Sequence, residues 1–130
     1  MNYTQTIKDF LAELDYAITL EKEDEGILVI QKQENGIKNL VIGIAPPVLI
    51  IEQYIFKVEN PSEGIFKNLL MKNRDIVHGA FVLDETGQKV IFRDTLQIDT
   101  LDIEELEASL NSLSLLLSEY AKQIIKFSKY

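Results

Sequence analysis

The residues that could carry chemistry are few, and they gather in one stretch, Asn73 to Leu113. His78 is the only histidine. Asp84-Glu85-Thr86-Gly87 suits a type I turn followed by a left-handed glycine, the usual three-residue hairpin connection. That turn sets Asp84 opposite Gln88. Counting outward, it sets Val82 opposite Val90, Ala80 opposite Phe92 and His78 opposite Asp94, with Leu83, Phe81 and Gly79 facing Lys89, Ile91 and Arg93 on the other side. A histidine beside a carboxylate can serve as the base of an acid–base pair, and an ionised Asp94 would favour the charged imidazole. The register places no nucleophile or second polar group beside the pair, which favours a structural histidine. Arg93 and Asp94 could hold an anion or mark an interface. The simpler reading is that His78, Arg93 and Asp94 form a local polar network fixing the hairpin's exit into the next helix.

The remaining polar clusters have ordinary explanations. Asp102, Glu104, Glu105 and Glu107 lack the glycine-centred oxygen-ligand loop of a calcium site, and helix capping accounts for them. Ser109, Ser112, Ser114 and Ser118 lie on a helix, without the strand-turn-helix elbow of a nucleophilic serine. Glycine-rich phosphate loops are absent. With no cysteine there is neither a disulfide framework nor a cysteine zinc site. The sequence therefore predicts no catalytic residue, no metal site, no cofactor and no enzyme.

The element that positions these residues is a long C-terminal helix. From Ile103, the apolar residues Leu106, Leu110, Leu113, Leu117, Tyr120, Ile124 and Phe127 follow in steps of three and four along one seam. Asp102 is a natural N-cap, with Glu105 three residues on. Acidic residues crowd the helix start and Lys122, Lys126 and Lys129 its end, as the macrodipole favours. Through Tyr130 it would run about 43 Å, against a radius of gyration of about 14 Å for a compact chain of this length. Leu115, Leu116 and Leu117 in succession widen its apolar surface beyond the seam. Loops of a monomer could cover it, but a second copy would cover it more naturally, so a homodimer is expected. Phe81, Leu115, Leu116, Leu117 and Ile125 are the candidates for a partner-binding or interface surface.

Upstream, Ile7, Phe10, Leu11 and Leu14 predict a short amphipathic helix over residues 4–14. Residues 16–20 read as extended before a charged turn, residues 21–26. Ile27 to Lys32 and Ile37 to Ala45 flank Asn35-Gly36, the strongest short hairpin signal, and should pair antiparallel. A break at Pro46-Pro47 opens a third strand, Val48 to Val58. Asn60-Pro61-Ser62-Glu63 predicts a helix start, with Asn60 as cap and Glu63 closing a capping box. Ile65, Phe66, Leu69 and Leu70 form its expected buried stripe. The order helix, three strands, helix, two strands, helix predicts an α+β fold with an antiparallel sheet.

At 130 residues the chain should be one domain, residues 1–130. Thirteen basic residues against 21 acidic ones leave a net charge of −8. Such a surface should repel phosphate backbones and anionic membranes, so neither nucleic acid nor membrane is an expected partner. No apolar signal-peptide core opens the sequence, and Leu40 to Ile51 is too short and interrupted to span a bilayer. A cytoplasmic location is expected.

Three segments of Asn73 to Leu113 are distinctive: His78-Gly79-Ala80-Phe81, Arg93-Asp94-Thr95-Leu96 and Asp102-Ile103-Glu104-Glu105-Leu106-Glu107. This stretch resembles the YbjN-like bacterial sensory transduction regulators, whose fold is similar to that of type III secretion chaperones of the Tir-chaperone type. The resemblance implies a small, acidic, dimeric, non-enzymatic helper that holds a partner polypeptide in extended form. Its alternative implication is a regulator or structural module that associates with a folded partner. A chaperone should leave apolar surface exposed for the segment it receives.

Overall fold

Alternating burial along apolar, β-branched runs builds the central strands, and everything else is hung on them. The computed structural model describes residues 2–60, 63–119 and 121. Helix α1 (Tyr3–Glu13) is followed by β1 (Ala17–Lys22), β2 (Ile27–Lys32), β3 (Ile37–Ala45) and β4 (Val48–Lys57); then come α2 (Glu63–Asn73), the hairpin β5 (Ala80–Leu83) and β6 (Lys89–Gln97), and α3 (Ile103–Glu119). The strands form one antiparallel sheet in the order β1-β2-β3-β4-β6-β5. The α+β class and its antiparallel sheet match expectation. The sheet has one strand more than the three-plus-two reading, because residues 17–22 pair along β2. That strand is mostly exposed, and a bulge between Ile18 and Leu20 sends its two large apolar side chains to opposite faces, so their spacing does not mark a buried face.

The strands bounded by Asn35-Gly36 fall where the sequence places them. Gln33–Asn35 make a single 3-10 turn, and Gly36 adopts φ 73°, a left-handed conformation that costs a glycine little. Asn39 also has positive φ, and the pairing slips between Ile30 and Lys32. That bulge puts Ile37 and Leu40 on one face although they are three residues apart.

One face of the sheet is the core. Leu28, Ile30, Leu40, Ile42, Leu49, Ile51 and Phe92 are buried there with Ile7 and Leu11 of α1, Ile65 and Leu69 of α2, and Leu106, Leu110, Leu113 and Leu116 of α3. Asp102 caps α3, accepting from the Glu105 amide at 2.8 Å. On α1 the cap is Asn2, which accepts from the Gln5 amide. The proposed cap of α2 lies partly on Pro61 and Ser62, outside the described residues. Its expected stripe is half correct: Ile65 and Leu69 are buried, whereas Leu70 is 70% exposed. The far end of the α3 seam, Tyr120, Ile124 and Phe127, also lies outside the described residues.

The β5–β6 hairpin departs from its predicted register by one residue. Phe81 faces Phe92, Val82 faces Ile91, Leu83 faces Val90 and Ala80 faces Arg93. The Asp84 side chain is the cause. Its Oδ1 accepts from the Thr86 hydroxyl at 2.7 Å and from the Lys89 amide at 3.2 Å, while the Gln88 amide donates to Thr86 Oγ1. The ladder therefore closes between the Asp84 amide and the Lys89 carbonyl, and Gln88 is left in the turn, where its carbonyl accepts from Val58 of the neighbouring segment. Because strand side chains alternate, the slip moves every residue to the opposite face. His78 is not opposite Asp94.

The Thr86 hydroxyl, helped by the Lys89 and Gln88 amides, holds the Asp84 carboxyl below its ordinary range. A carboxyl depressed in the folded state adds stability above its unfolded pKa, about 3.9, and loses it as pH falls through the folded value. Asp84→Ala should therefore lower the urea midpoint near neutral pH, and the difference from wild type should close as pH drops below that range. A difference of constant size across the titration would show that the carboxylate does not hold this turn.

Candidate partner-binding surface

A sheet with one covered face leaves three kinds of surface for a partner: two edges, the other face, and grooves where helices meet strands. β1 and β5 are the edges. On the uncovered face, one cross-strand row runs Leu20, Val29, Val41, Glu52, Arg93 and Ala80. Its β1 end is apolar, with Leu20 47% and Val41 37% exposed. Its middle is polar, because Arg93 donates to Glu52 Oε1 at 2.5 Å. Both partners are well solvated, so the pair adds little to stability. Tyr54, 53% exposed, lies beside this pair on β4.

Two grooves flank the β5 end. One, about 220 Å³, lies between α2 and β5 and is lined by Phe66, Leu69, Leu70, Phe81, Leu83 and Val90 among others. Leu70 and Leu83 stand exposed on its lining, and the exposed Met71 lies on an adjoining surface with Phe66, Lys67 and Arg74. The other, about 350 Å³, lies between the residue 75–78 loop and α3, with Val77 and Leu115 exposed and Asp75 and Glu119 on its lining.

The predicted site residues separate. Phe81 and Leu116 are core residues, Leu117 is half-buried and Leu115 is 57% exposed. Helical geometry gives the reason: consecutive residues point about 100° apart, so a run of three leucines cannot all face one way. Ile125 lies outside the described residues. His78, Arg93 and Asp94 do not form one network. His78 is exposed, and its carbonyl accepts from the Ser112 hydroxyl at 2.7 Å. Arg93 points to the uncovered face and Asp94 to the core face, where Asp94 Oδ2 accepts from Ser109 at 2.7 Å. Ser109 is fully buried on α3, so this bond ties the last helix to the sheet. The exposed Leu20, Met71 and Val77 carry no signal of their own in the sequence, and Leu70, expected in the buried stripe, turns out at its exposed margin.

Two contacts anchor the β1 edge. Lys8 and Glu21 pair at 2.9 Å, and the Glu21 carboxylate raises the Lys8 pKa. Lys32 donates to the Leu14 carbonyl at 2.9 Å, with its ammonium 5.3 Å from the Tyr16 ring centre. At the sheet's lower end the Tyr3 hydroxyl donates to Asp99, which raises the Tyr3 pKa. Among the described residues no three His, Asp or Glu side chains gather as metal ligands, and no helix is long and apolar enough to cross a membrane.

The CesT_Tir_1 family model matches residues 1–130. Among solved structures, YbjN from E. coli superposes with a TM-score of 0.71 at 14% identity, covering 92% of each chain. A chain of the heterodimeric ExoU–SpcU complex from the type III secretion system of Pseudomonas aeruginosa gives 0.71 at 15% identity, covering 95% of this chain and 99% of that one. A chain of the HopA1–SchA chaperone–effector complex gives 0.64 at 11% identity, covering 98% and 94%. No curated protein matches. At these identities the likeness establishes the shared fold.

The buried Ser109–Asp94 bond yields a stability test. Ser109→Ala removes one of two donors to the half-buried Asp94 carboxylate, the other being the Thr95 amide at 2.9 Å, and should cost about 1–3 kcal/mol in denaturant unfolding. Asp94→Asn, which keeps an acceptor oxygen, should cost less. Equal stability of Ser109→Ala and wild type would remove this bond from the account of how α3 docks.

Proposed function

The chain belongs to the CesT_Tir_1 family, and from that premise we propose that it is a non-catalytic, chaperone-like binding protein that holds an extended segment of a partner polypeptide. It does so in the cytoplasm and as a homodimer. The carrying observation is the β1 edge: a six-residue strand open along one side, with Leu20 beginning an apolar row that continues through Val29 and Val41. A partner strand added there gains main-chain hydrogen bonds with little sequence demand, while alternate side chains extend the apolar row and supply selectivity. The neighbouring Glu21, Glu23, Asp24 and Glu25, on a chain of net charge −8, favour segments with basic flanks.

The dimer is assigned to the groove between α2 and β5. Leu70, 70% exposed, lines it with Leu83, and Met71, 61% exposed, lies on the adjoining α2 surface that Phe66 and Leu70 share. A two-fold pairing would bury this patch twice, removing apolar surface that a monomer would leave in water. The expected light-scattering mass is twice 14.9 kDa at tens of micromolar, and Leu70→Asp with Met71→Asp should return the chain to a monomer. A wild-type monomer mass would exclude this interface.

Binding is tested with an array of overlapping peptides from the host's proteins. Folded wild-type protein should retain apolar peptides with basic flanks, and Leu20→Asp should weaken that retention about tenfold, roughly 1.4 kcal/mol, with unchanged circular dichroism. If only intact folded proteins are recovered, and no peptide, a regulator that associates with a folded partner takes the place of this reading.

A further inference from the structure

The two edges of the sheet are not equivalent, and the difference lies in one side chain. An edge strand presents unpaired N–H and C=O groups to any strand that approaches. In β5 the direction of those groups follows from the turn. The Asp84 amide donates to the Lys89 carbonyl at 3.1 Å, so it faces β6. Backbone groups alternate along a strand, so Val82 and Ala80 also face β6, whereas Leu83 and Phe81 face outward. The outward groups of Phe81 are already taken. Its N–H donates to Asn73 Oδ1 at 2.7 Å, and its carbonyl accepts from Asn73 Nδ2 at 3.1 Å. The carboxamide thus offers Phe81 one acceptor and one donor, as a residue of a neighbouring strand would.

The amide is held in place from both sides. Asn73 is the last residue of α2, whose Ile65 and Leu69 are buried in the core. The chain returns to β5 through Gly79 at φ 87°, where a Cβ would stand 2.3 Å from the Phe92 ring, so no side chain can shift that path outward. β5 has only four residues, Ala80–Leu83. With Phe81 closed, Leu83 is the outward-facing residue that remains.

We propose that Asn73 acts as a surrogate strand that closes the β5 edge, so that strand addition to this sheet is one-sided and falls to β1. The assignment to β1 rests on the peptide-binding reading above; the closure of β5 does not. It also means that the α2–β5 face meets a second copy through side chains, without a sheet continuing from one copy to the other.

Amide exchange measured by NMR on the full chain tests the closure with no partner present, so its outcome is separate from that of the peptide array. The Phe81 amide should be protected in wild type although it points away from β6. In Asn73→Ala it should exchange at least tenfold faster, while Val82 keeps its protection. Asn73→Asp retains the acceptor and should retain most of the Phe81 protection, which a general loosening of the loop would not. Asn73→Ala should also self-associate beyond the wild-type oligomer in sedimentation, and adding Leu83→Pro, which removes an outward donor, should reverse that. An unprotected Phe81 amide in wild type overturns the proposal even if every variant fails to fold. A folded Asn73→Ala that exchanges fast at Phe81 yet gains no association overturns the claim that the amide is what keeps this edge closed to other strands.

Discussion

A six-stranded sheet has two faces, and helices α1, α2 and α3 bury their apolar residues on one of them. The rest of the molecule follows from that one-sidedness. The covered face carries Leu28, Ile30, Ile42, Leu49, Ile51 and Phe92, all wholly or almost wholly buried, and joins the stripes of α1, α2 and α3 in one cluster. The other face must meet water by itself or meet a partner. It does not treat its length uniformly: the row from Leu20 through Val29 to Val41 is apolar, and the Glu52–Arg93 pair interrupts it at the sheet's middle. Apolar attraction therefore favours the β1 side of that face, and solvation favours the middle.

Much of this was legible before any coordinates. β-branched runs around Asn35-Gly36, the break at Pro46-Pro47 and the Asp102 cap are local signals, and the structure places the elements where those signals lie. Register was not legible to the same degree. A three-residue and a four-residue turn both fit Asp84-Glu85-Thr86-Gly87, and the choice depends on which amides the Asp84 and Thr86 side chains accept. A shift of one residue in a period-two structure reverses every face, so the His78–Asp94 pairing fell with it. β1 was hard to read for a different reason. Ile18 and Leu20 alternate with polar residues, but a bulge between them puts them on opposite faces and five of the six positions are exposed, so what defines the strand is its partner.

The same limits apply to the surface. Periodicity finds the centre of a helical stripe and blurs its margins, because adjacent residues differ by about 100°. Leu69 is buried and Leu70 is not; Leu116 is buried and Leu115 is not. The exposed members are the ones a partner could reach, and only the packing of α2 and α3 on the sheet separates them from their buried neighbours. Asn73 is less legible still. Nothing in its sequence context distinguishes an asparagine ending a helix from one whose amide faces a strand eight residues later.

Charge and apolar surface have different parts in any association of this molecule. A net charge of −8 steers basic segments toward the chain and speeds encounter, an effect that salt screens within about 8–10 Å. It supplies little lasting affinity, since the acidic side chains near β1 are solvated. On the proposed reading, retention comes from main-chain pairing along the edge and from covering Leu20 and its row, neither of which salt weakens much. Raising ionic strength should therefore slow capture far more than it hastens release, and that asymmetry separates a segment held along an edge from one held only by opposite charge.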